Sequence, residues 1–109
     1  MKKLFLTIIV FLSLCSFARA DSYEAITVAG TAIGTTAATV GIATWGVCRV
    51  ETAEIRYTLD GSTTPTNTVG VVVEPLEWIV LDNKDKLRNF RAIRTTATSA
   101  SLKCHYFQN

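Results

Sequence analysis

Two side chains with reactive chemistry are adjacent near the end of the chain, Cys104 and His105. A thiol beside an imidazole could supply a nucleophile and its general base. The surrounding residues alternate in the manner of a β-strand, however, and successive strand side chains point to opposite faces of a sheet. The two groups are therefore predicted to lie apart, and we expect no catalytic dyad here.

The remaining candidates for catalysis are carboxylates in predicted turns. Glu74 and Glu77 flank Pro75 and could act as an acid and a base, but a loop also explains them as solvated surface groups. Asp60 precedes Gly61 in a predicted turn, where Asp is favoured for backbone reasons alone. The chain carries no phosphate-binding glycine motif and no calcium loop. The sequence thus predicts a protein that is not an enzyme and that needs no metal or cofactor.

The N-terminus has the layout of a secretory signal peptide. Lys2 and Lys3 precede an apolar run over residues 4–17, and Ala18 and Ala20 then form a small-x-small cleavage site. The alternative is a membrane anchor, but the apolar run is 14 residues long, short of the roughly 20 that a spanning helix needs. We predict a helical signal peptide over residues 1–20, cleaved after Ala20.

The mature chain, residues 21–109, is long enough for a single domain. It keeps eight of the 11 basic residues against nine acidic residues, so its formal charge is −1. Electrostatic binding to nucleic acid or to a membrane is therefore not expected once the signal is removed. The predicted location is secreted, periplasmic or cell-surface.

Two cysteines remain in the mature chain, Cys48 and Cys104. In an oxidising compartment a small domain gains from a covalent crosslink, which favours a disulfide. The alternative is a pair of buried thiols that act as small hydrophobic side chains. If bridged, their strands would be neighbours in one sheet or would face each other across the core.

The stretch over residues 53–66 shows the clearest strand and turn. Ile55, Tyr57 and Leu59 alternate with polar residues, a period of two that places one apolar face on a core. Asp60 and Gly61 then supply residues that tolerate left-handed backbone geometry, as a chain reversal needs.

Short strand-like segments continue along the whole mature chain, without an internal repeat. They predict an all-β domain, a small single-domain β-sandwich or flattened barrel of about six to eight antiparallel strands. Residues 42–50 are predicted to be covered on both faces and to form a possible hairpin that extends to residue 59. Residues 35–40 and 82–87 are each predicted as a loop or one helical turn. The predicted strands cover residues 22–28, 42–50, 53–59, 69–73, 78–81, 89–95 and 100–107.

Five residues are candidates for surface binding. If exposed, Trp45 and Trp78 could stack on sugar rings or anchor a protein interface, although burial in the core is the alternative. Arg88, Arg91 and Arg94 concentrate positive charge in the last third of the chain. They form either a solvated rim or a binding face for an anionic glycan or an acidic protein neighbour.

Three segments carry a family resemblance: ETAEIRYTLDG over residues 51–61, LRNFRAIRT over 87–95 and ATSASL over 97–102. Together with Pro65, Thr66 and Gly70 they resemble small uncharacterised proteins encoded among phage structural genes, over residues 25–107. The resemblance implies a non-catalytic, oligomeric β protein such as a head-decoration or tail accessory subunit. Virions assemble in the cytoplasm, so the export signal suggests a host-adopted or surface-acting relative.

A shorter segment, YTLDGS over residues 57–62 with Pro65 and Thr66, resembles the chitobiase C-terminal type of β-sandwich module. Thr63 and Thr64 make this connection one residue longer than that module usually has. The favoured hypothesis is an exported, non-enzymatic structural or protein-interaction subunit, phage-derived and virion- or decoration-like, that binds a partner protein or itself. The alternative is an extracellular glycan-binding module.

Overall fold

The computed structural model describes residues 21–108, which form eight strands and two short helices. The predicted signal peptide, residues 1–20, lies outside the described residues. Neither helix in the described part of the chain is long and apolar enough to cross a membrane. The strands are β1 Ser22–Val28, β2 Ile33–Gly34, β3 Trp45–Glu51, β4 Ile55–Thr58, β5 Val71–Val73, β6 Trp78–Leu81, β7 Arg91–Arg94 and β8 Ala100–Phe107, and the helices are α1 Ala37–Val40 and α2 Lys84–Asn89.

The strands form two antiparallel sheets of four strands each. The first sheet has the order β1-β8-β3-β6, and the second has the order β2-β7-β4-β5. The two sheets share one hydrophobic core, which confirms the predicted β-sandwich. The domain is mostly β and not all-β as predicted, because it also contains two short helices.

The core is made by side chains that alternate along each strand. In β8, Ala100, Leu102, Cys104 and Tyr106 are buried, and the residues between them are more exposed. This confirms the predicted strand over residues 100–107 and the predicted alternation of its side chains. The second sheet and α2 contribute buried side chains of their own, among them Ile55, Val73, Leu87, Phe90 and Ala92.

A disulfide joins Cys48 of β3 to Cys104 of β8 and confirms the predicted bridge. The two residues are register partners on neighbouring strands, with their Cα atoms 4.1 Å apart. Both cysteines are fully buried. The sequence left two arrangements open, neighbouring strands in one sheet or strands that face each other across the core. The bridge lies within one sheet and does not cross the core.

The hairpin predicted for residues 42–59 is wrong, because β3 and β4 belong to different sheets. Val50 and Ile55 are both fully buried, one at the end of β3 and the other at the start of β4. The chain must cross from one layer to the other to place both side chains in the core. Thr52, in the left-handed region with φ 80°, makes that change of direction.

The chain bends at Asp60 and Gly61, where the sequence predicts a turn. Asp60 Oδ1 accepts hydrogen bonds from the N–H groups of Ser62 and Thr63, and Asp60 Oδ2 accepts one from the Thr63 hydroxyl at 2.6 Å. The Thr63 hydroxyl and these N–H groups hold the pKa of Asp60 below its usual value. Gly61 has a φ of 76°, which glycine adopts without strain.

The chain does not return directly from this turn, because β5 begins only at Val71. The intervening loop is fastened by Arg56 of β4, which donates hydrogen bonds to the carbonyl oxygens of Asn67 at 3.1 Å and Gly70 at 2.8 Å. Pro65 of this loop is buried and lies outside both sheets, where its missing N–H removes no ladder hydrogen bond.

The largest buried side chain, Tyr106, ties the first sheet to the segment that precedes α1. Its hydroxyl donates to Glu24 Oε2 of β1 at 2.6 Å, and the N–H of Thr36 donates to the same oxygen at 3.1 Å. Burial and the neighbouring Glu24 carboxylate raise the pKa of Tyr106 far above its usual value. Gly46 leaves room for this ring, since a Cβ there would lie 2.7 Å from Tyr106 Cδ1.

Candidate functional site

The side of the first sheet that faces away from the core carries a continuous set of large side chains. Register places them in rows across the four strands, because paired residues of neighbouring strands project to the same side. We call this surface the aromatic face. Its apolar and aromatic members are Tyr23, Trp45, Val47, Trp78, Val80, His105 and Phe107, and its cations are Arg49 and Lys103.

The aromatic face is open to solvent at its two edges. Tyr23 on β1 is 57% exposed, and Trp78 and Val80 on β6 are 59% and 57% exposed. The prediction that β3 is covered on both faces is therefore wrong: Trp45 and Val47 lie on its outer side and are only partly buried. A soluble domain seldom leaves several large apolar side chains together in water unless they contact something.

The rings of the aromatic face pack on one another. Phe107 stacks on Trp45 with ring centroids 4.3 Å apart, and on His105 with centroids 4.5 Å apart. Their planes are inclined by only 21° in each pair. Ring faces that contact each other in this way are less available to a sugar ring than isolated exposed rings are.

Two cations interrupt the apolar surface. Arg49 and Lys103 are register partners on β3 and β8, so they lie side by side. The Arg49 guanidinium carbon is 5.6 Å from the centre of the Trp78 ring, within the range of a cation–π contact. Arg49 Nε is buried and makes no hydrogen bond within the described part of the chain.

The structure brings only part of the predicted surface-binding set together. Trp45 and Trp78 share the aromatic face, whereas the three arginines lie elsewhere. Arg88 is on α2 and Arg91 is an exposed residue of β7, in the second sheet. Arg94 donates to Ser99 Oγ at 3.2 Å. The positive charge in the last third of the chain is therefore spread over several surfaces.

The adjacent Cys104 and His105 project to opposite sides of β8, as strand alternation predicts. Cys104 is buried in its disulfide, and His105 is exposed on the aromatic face. Within residues 21–108, no group of three His, Cys, Asp or Glu side chains is arranged to hold a metal ion.

Glu74, one of the predicted acid–base candidates, contacts two other glutamates. Its N–H donates to Glu77 Oε1 at 2.8 Å, and its carboxyl group forms a hydrogen bond with Glu54. Glu54 also accepts from the Thr95 hydroxyl at 2.8 Å. The hydrogen bond between the two carboxyl groups raises the pKa of Glu74 and lowers that of Glu54, so that Glu74 binds a proton first as pH falls and then donates it to Glu54.

This carboxyl pair predicts a pH-dependent effect of Glu74→Gln on stability. Glu74 has a raised pKa, so its contribution to folding stability is lost as pH rises through that pKa. Glu54 has a lowered pKa, so its contribution to folding stability is lost as pH falls through that pKa. The pair therefore contributes most near the ordinary glutamate pKa of 4.5. A glutamine amide donates to Glu54 at every pH. We expect Glu74→Gln to raise the midpoint of thermal unfolding at neutral pH and to change it little near pH 4.5.

Thermal scans of both proteins across this pH range measure the difference. Glu51→Gln is the matched control, because it removes one glutamate charge outside the carboxyl pair. An equal gain for Glu74→Gln at both pH values would contradict the shared proton.

Most of the aromatic face was not predicted from the sequence. Five of its members were not predicted as binding residues, although each lies in a predicted strand: Tyr23, Arg49, Val80, Lys103 and Phe107. The available signal was the alternation of β8, which places Lys103, His105 and Phe107 opposite its buried residues.

Comparisons with protein-family models, with curated protein sequences and with solved structures find no match for this chain. The resemblances to phage structural proteins and to the chitobiase C-terminal module therefore remain predictions.

Proposed function

We propose that the mature chain is an exported, non-enzymatic structural or protein-interaction subunit, and that it binds a partner protein through the aromatic face. The observation that carries this proposal is the exposure of Tyr23, Trp78 and Val80 on one side of the first sheet. Aromatic side chains are enriched in protein interfaces because they bury a large area at low cost in conformational entropy.

The charges on this face indicate the chemistry of the partner. Arg49 and Lys103 lie in the middle of an otherwise apolar surface. A partner that covers them must supply carboxylates, since burying two unpaired cations would cost more than the apolar contacts gain. We therefore infer a partner surface with apolar side chains around one or more acidic residues.

Export is supported by the disulfide, which is typical of proteins that fold in oxidising compartments. The sandwich fold and an exposed interaction face are compatible with the phage-derived, decoration-like role that the sequence resemblance implies. In that role the partner would be another protein of an assembly.

A glycan-binding module is the second candidate, because the Trp78 ring is 59% exposed on the aromatic face. The stacking of Trp45, Phe107 and His105 on one another favours a protein partner over a sugar. An anionic polysaccharide would be the suitable glycan, since it would also pair with Arg49 and Lys103.

Site-specific photo-crosslinking tests the proposal. A benzophenone amino acid is placed at Tyr23, on the aromatic face, and in a second protein at Arg91, on the second sheet. Each is expressed with its own residues 1–20 in the native host. We expect a discrete protein adduct from position 23 and none from position 91. The adduct should be lost when Arg49→Glu and Lys103→Glu are added, because both reverse a charge that the partner must match.

Two outcomes would contradict the protein partner. One is an adduct that forms equally from both positions or survives both charge reversals. The other is binding of purified protein to heparin or polygalacturonate that is lost in Trp78→Ala, which would favour the glycan-binding alternative.

A further inference from the structure

The free edge of the first sheet at β6 has unsatisfied main-chain groups. In antiparallel sheets, the register pairs with closely spaced Cα atoms do not exchange hydrogen bonds. Cys48 and Cys104, with Cα atoms 4.1 Å apart, form such a pair. The N–H and C=O of Cys48 therefore point to β6, where its register partner is Ile79.

It follows that Ile79 and Leu81 direct their main-chain groups to β3, and that Trp78 and Val80 direct theirs away from the sheet. The bond from Val50 N–H to the Glu77 carbonyl, at 3.0 Å, fits the same alternation. Among residues 21–108, no backbone hydrogen bond joins Trp78 or Val80 to another element beyond this sheet. Two donors and two acceptors are thus left on an exposed edge.

Apart from its short length of four residues, the β6 edge also lacks the features that keep other edges from pairing. Proteins protect edge strands with charges, prolines, bulges or inward-pointing polar groups. β1, the opposite edge of the same sheet, has such a group in Glu24, which points inward to Tyr106. β6 consists only of Trp78, Ile79, Val80 and Leu81, with no charged residue, proline or glycine.

We propose that β6 pairs antiparallel with β6 of a second copy of this chain, forming a continuous eight-stranded sheet. An edge strand paired with its own copy satisfies the same groups on both sides and closes as a two-fold dimer. Residues that lie directly opposite each other project to the same side of a sheet. The core-facing sides of the two sheets therefore continue into each other only when Trp78 lies opposite Trp78, Val80 or an equivalent outward residue of the second copy. Of these registers, Trp78 opposite Val80, with Ile79 on the axis, joins the free main-chain groups of Trp78 and Val80 in one copy to those of Val80 and Trp78 in the other.

A second copy is favoured over an unrelated strand by the composition of the edge. In this register no charged residue of β6 opposes another, and the exposed Trp78 and Val80 of both copies form one apolar cluster. Face-to-face packing of two aromatic faces is less favourable, because it would bury the cations Arg49 and Lys103 of both copies. The pairing leaves the aromatic faces side by side, and it does not depend on what they bind.

Sedimentation velocity of the mature, disulfide-bonded protein tests the pairing over a range from about 1 μM to about 1 mM. We expect dimers that increase with concentration. Val80→Pro removes one of the free N–H donors, and Val80→Lys adds a charge to the edge. Each should weaken dimerisation about tenfold or more.

Thr27→Pro and Thr27→Lys are the matched controls, since Thr27 is exposed on the outer side of β1 at the opposite edge. Both should dimerise like the unchanged protein. Thermal unfolding identifies any variant that does not fold. If Val80→Pro does not fold, Val80→Lys decides the test.

In the unchanged protein, hydrogen exchange of the Trp78 and Val80 amides should slow as concentration rises. Monomers at every concentration, dimers of undiminished affinity in Val80→Lys, or loss of dimers in the Thr27 variants would overturn the proposal.

Discussion

Replacing Cys48 and Cys104 together with alanine is expected to lower the free energy of unfolding by about 4 kcal/mol. The bridge closes a loop between residues separated by 56 positions. Without it, the unfolded chain gains conformational freedom that the native state does not share. Because a domain of this size has a small stability margin, the change should leave part of the population unfolded at physiological temperature.

Urea unfolding of the double variant and of the unchanged protein, with and without reductant, measures this loss. The reduced, unchanged protein is the control, because it lacks the bridge but keeps both sulfur atoms in the core. We expect it to be nearly as unstable as the double variant. A loss below about 1 kcal/mol in both would contradict a stabilising disulfide between these strands.

Tyr106→Phe is expected to reduce the free energy of unfolding by about 2 kcal/mol. The substitution keeps the ring in its space beside Gly46 and removes only the hydroxyl that donates to Glu24. Within residues 21–108, the partly buried Glu24 carboxylate then loses its shortest hydrogen bond and keeps the one from the Thr36 N–H. Hydrogen bonds to charged groups contribute more than neutral ones, which sets the size of the effect.

Tyr57→Phe is the matched control for this prediction. Tyr57 packs against Phe90 with ring centroids 5.8 Å apart, and its hydroxyl makes no hydrogen bond within the described residues. Chemical unfolding should show a change within about 0.5 kcal/mol for Tyr57→Phe. Equal losses in the two variants would show that the contact between Tyr106 and Glu24 contributes nothing specific.

The sequence was sufficient to predict those elements whose side chains alternate clearly. β8 begins and ends where predicted, because its buried residues alternate with the polar residues Ser101, Lys103 and His105 along most of its length. β1 and β6 also have the predicted bounds. α2 proved longer than one turn, with Asn83 Oδ1 accepting from the Lys86 N–H at 2.8 Å, and it delays the start of β7 to Arg91.

The candidate site was harder to predict, because β6, one of its edge strands, is apolar on both sides. In β6 all four side chains are apolar, so alternation alone cannot show that Ile79 and Leu81 are buried while Trp78 and Val80 face water. The crossing between β3 and β4 depends on tertiary packing, and β2 has only two residues. Neither feature leaves a periodic signal in the sequence.

The central claim, that the aromatic face is the binding surface, is tested most directly by hydroxyl-radical footprinting. Labelling of the purified protein is compared by mass spectrometry with labelling of the exported protein in its native cell-envelope or particle fraction. We expect protection of Tyr23 and Trp78 in the native fraction and unchanged labelling of Ile42, which is 63% exposed and lies outside the aromatic face. Protection of Trp78 without Tyr23 would indicate pairing at β6 alone. Equal labelling of Tyr23 in both preparations would contradict the claim.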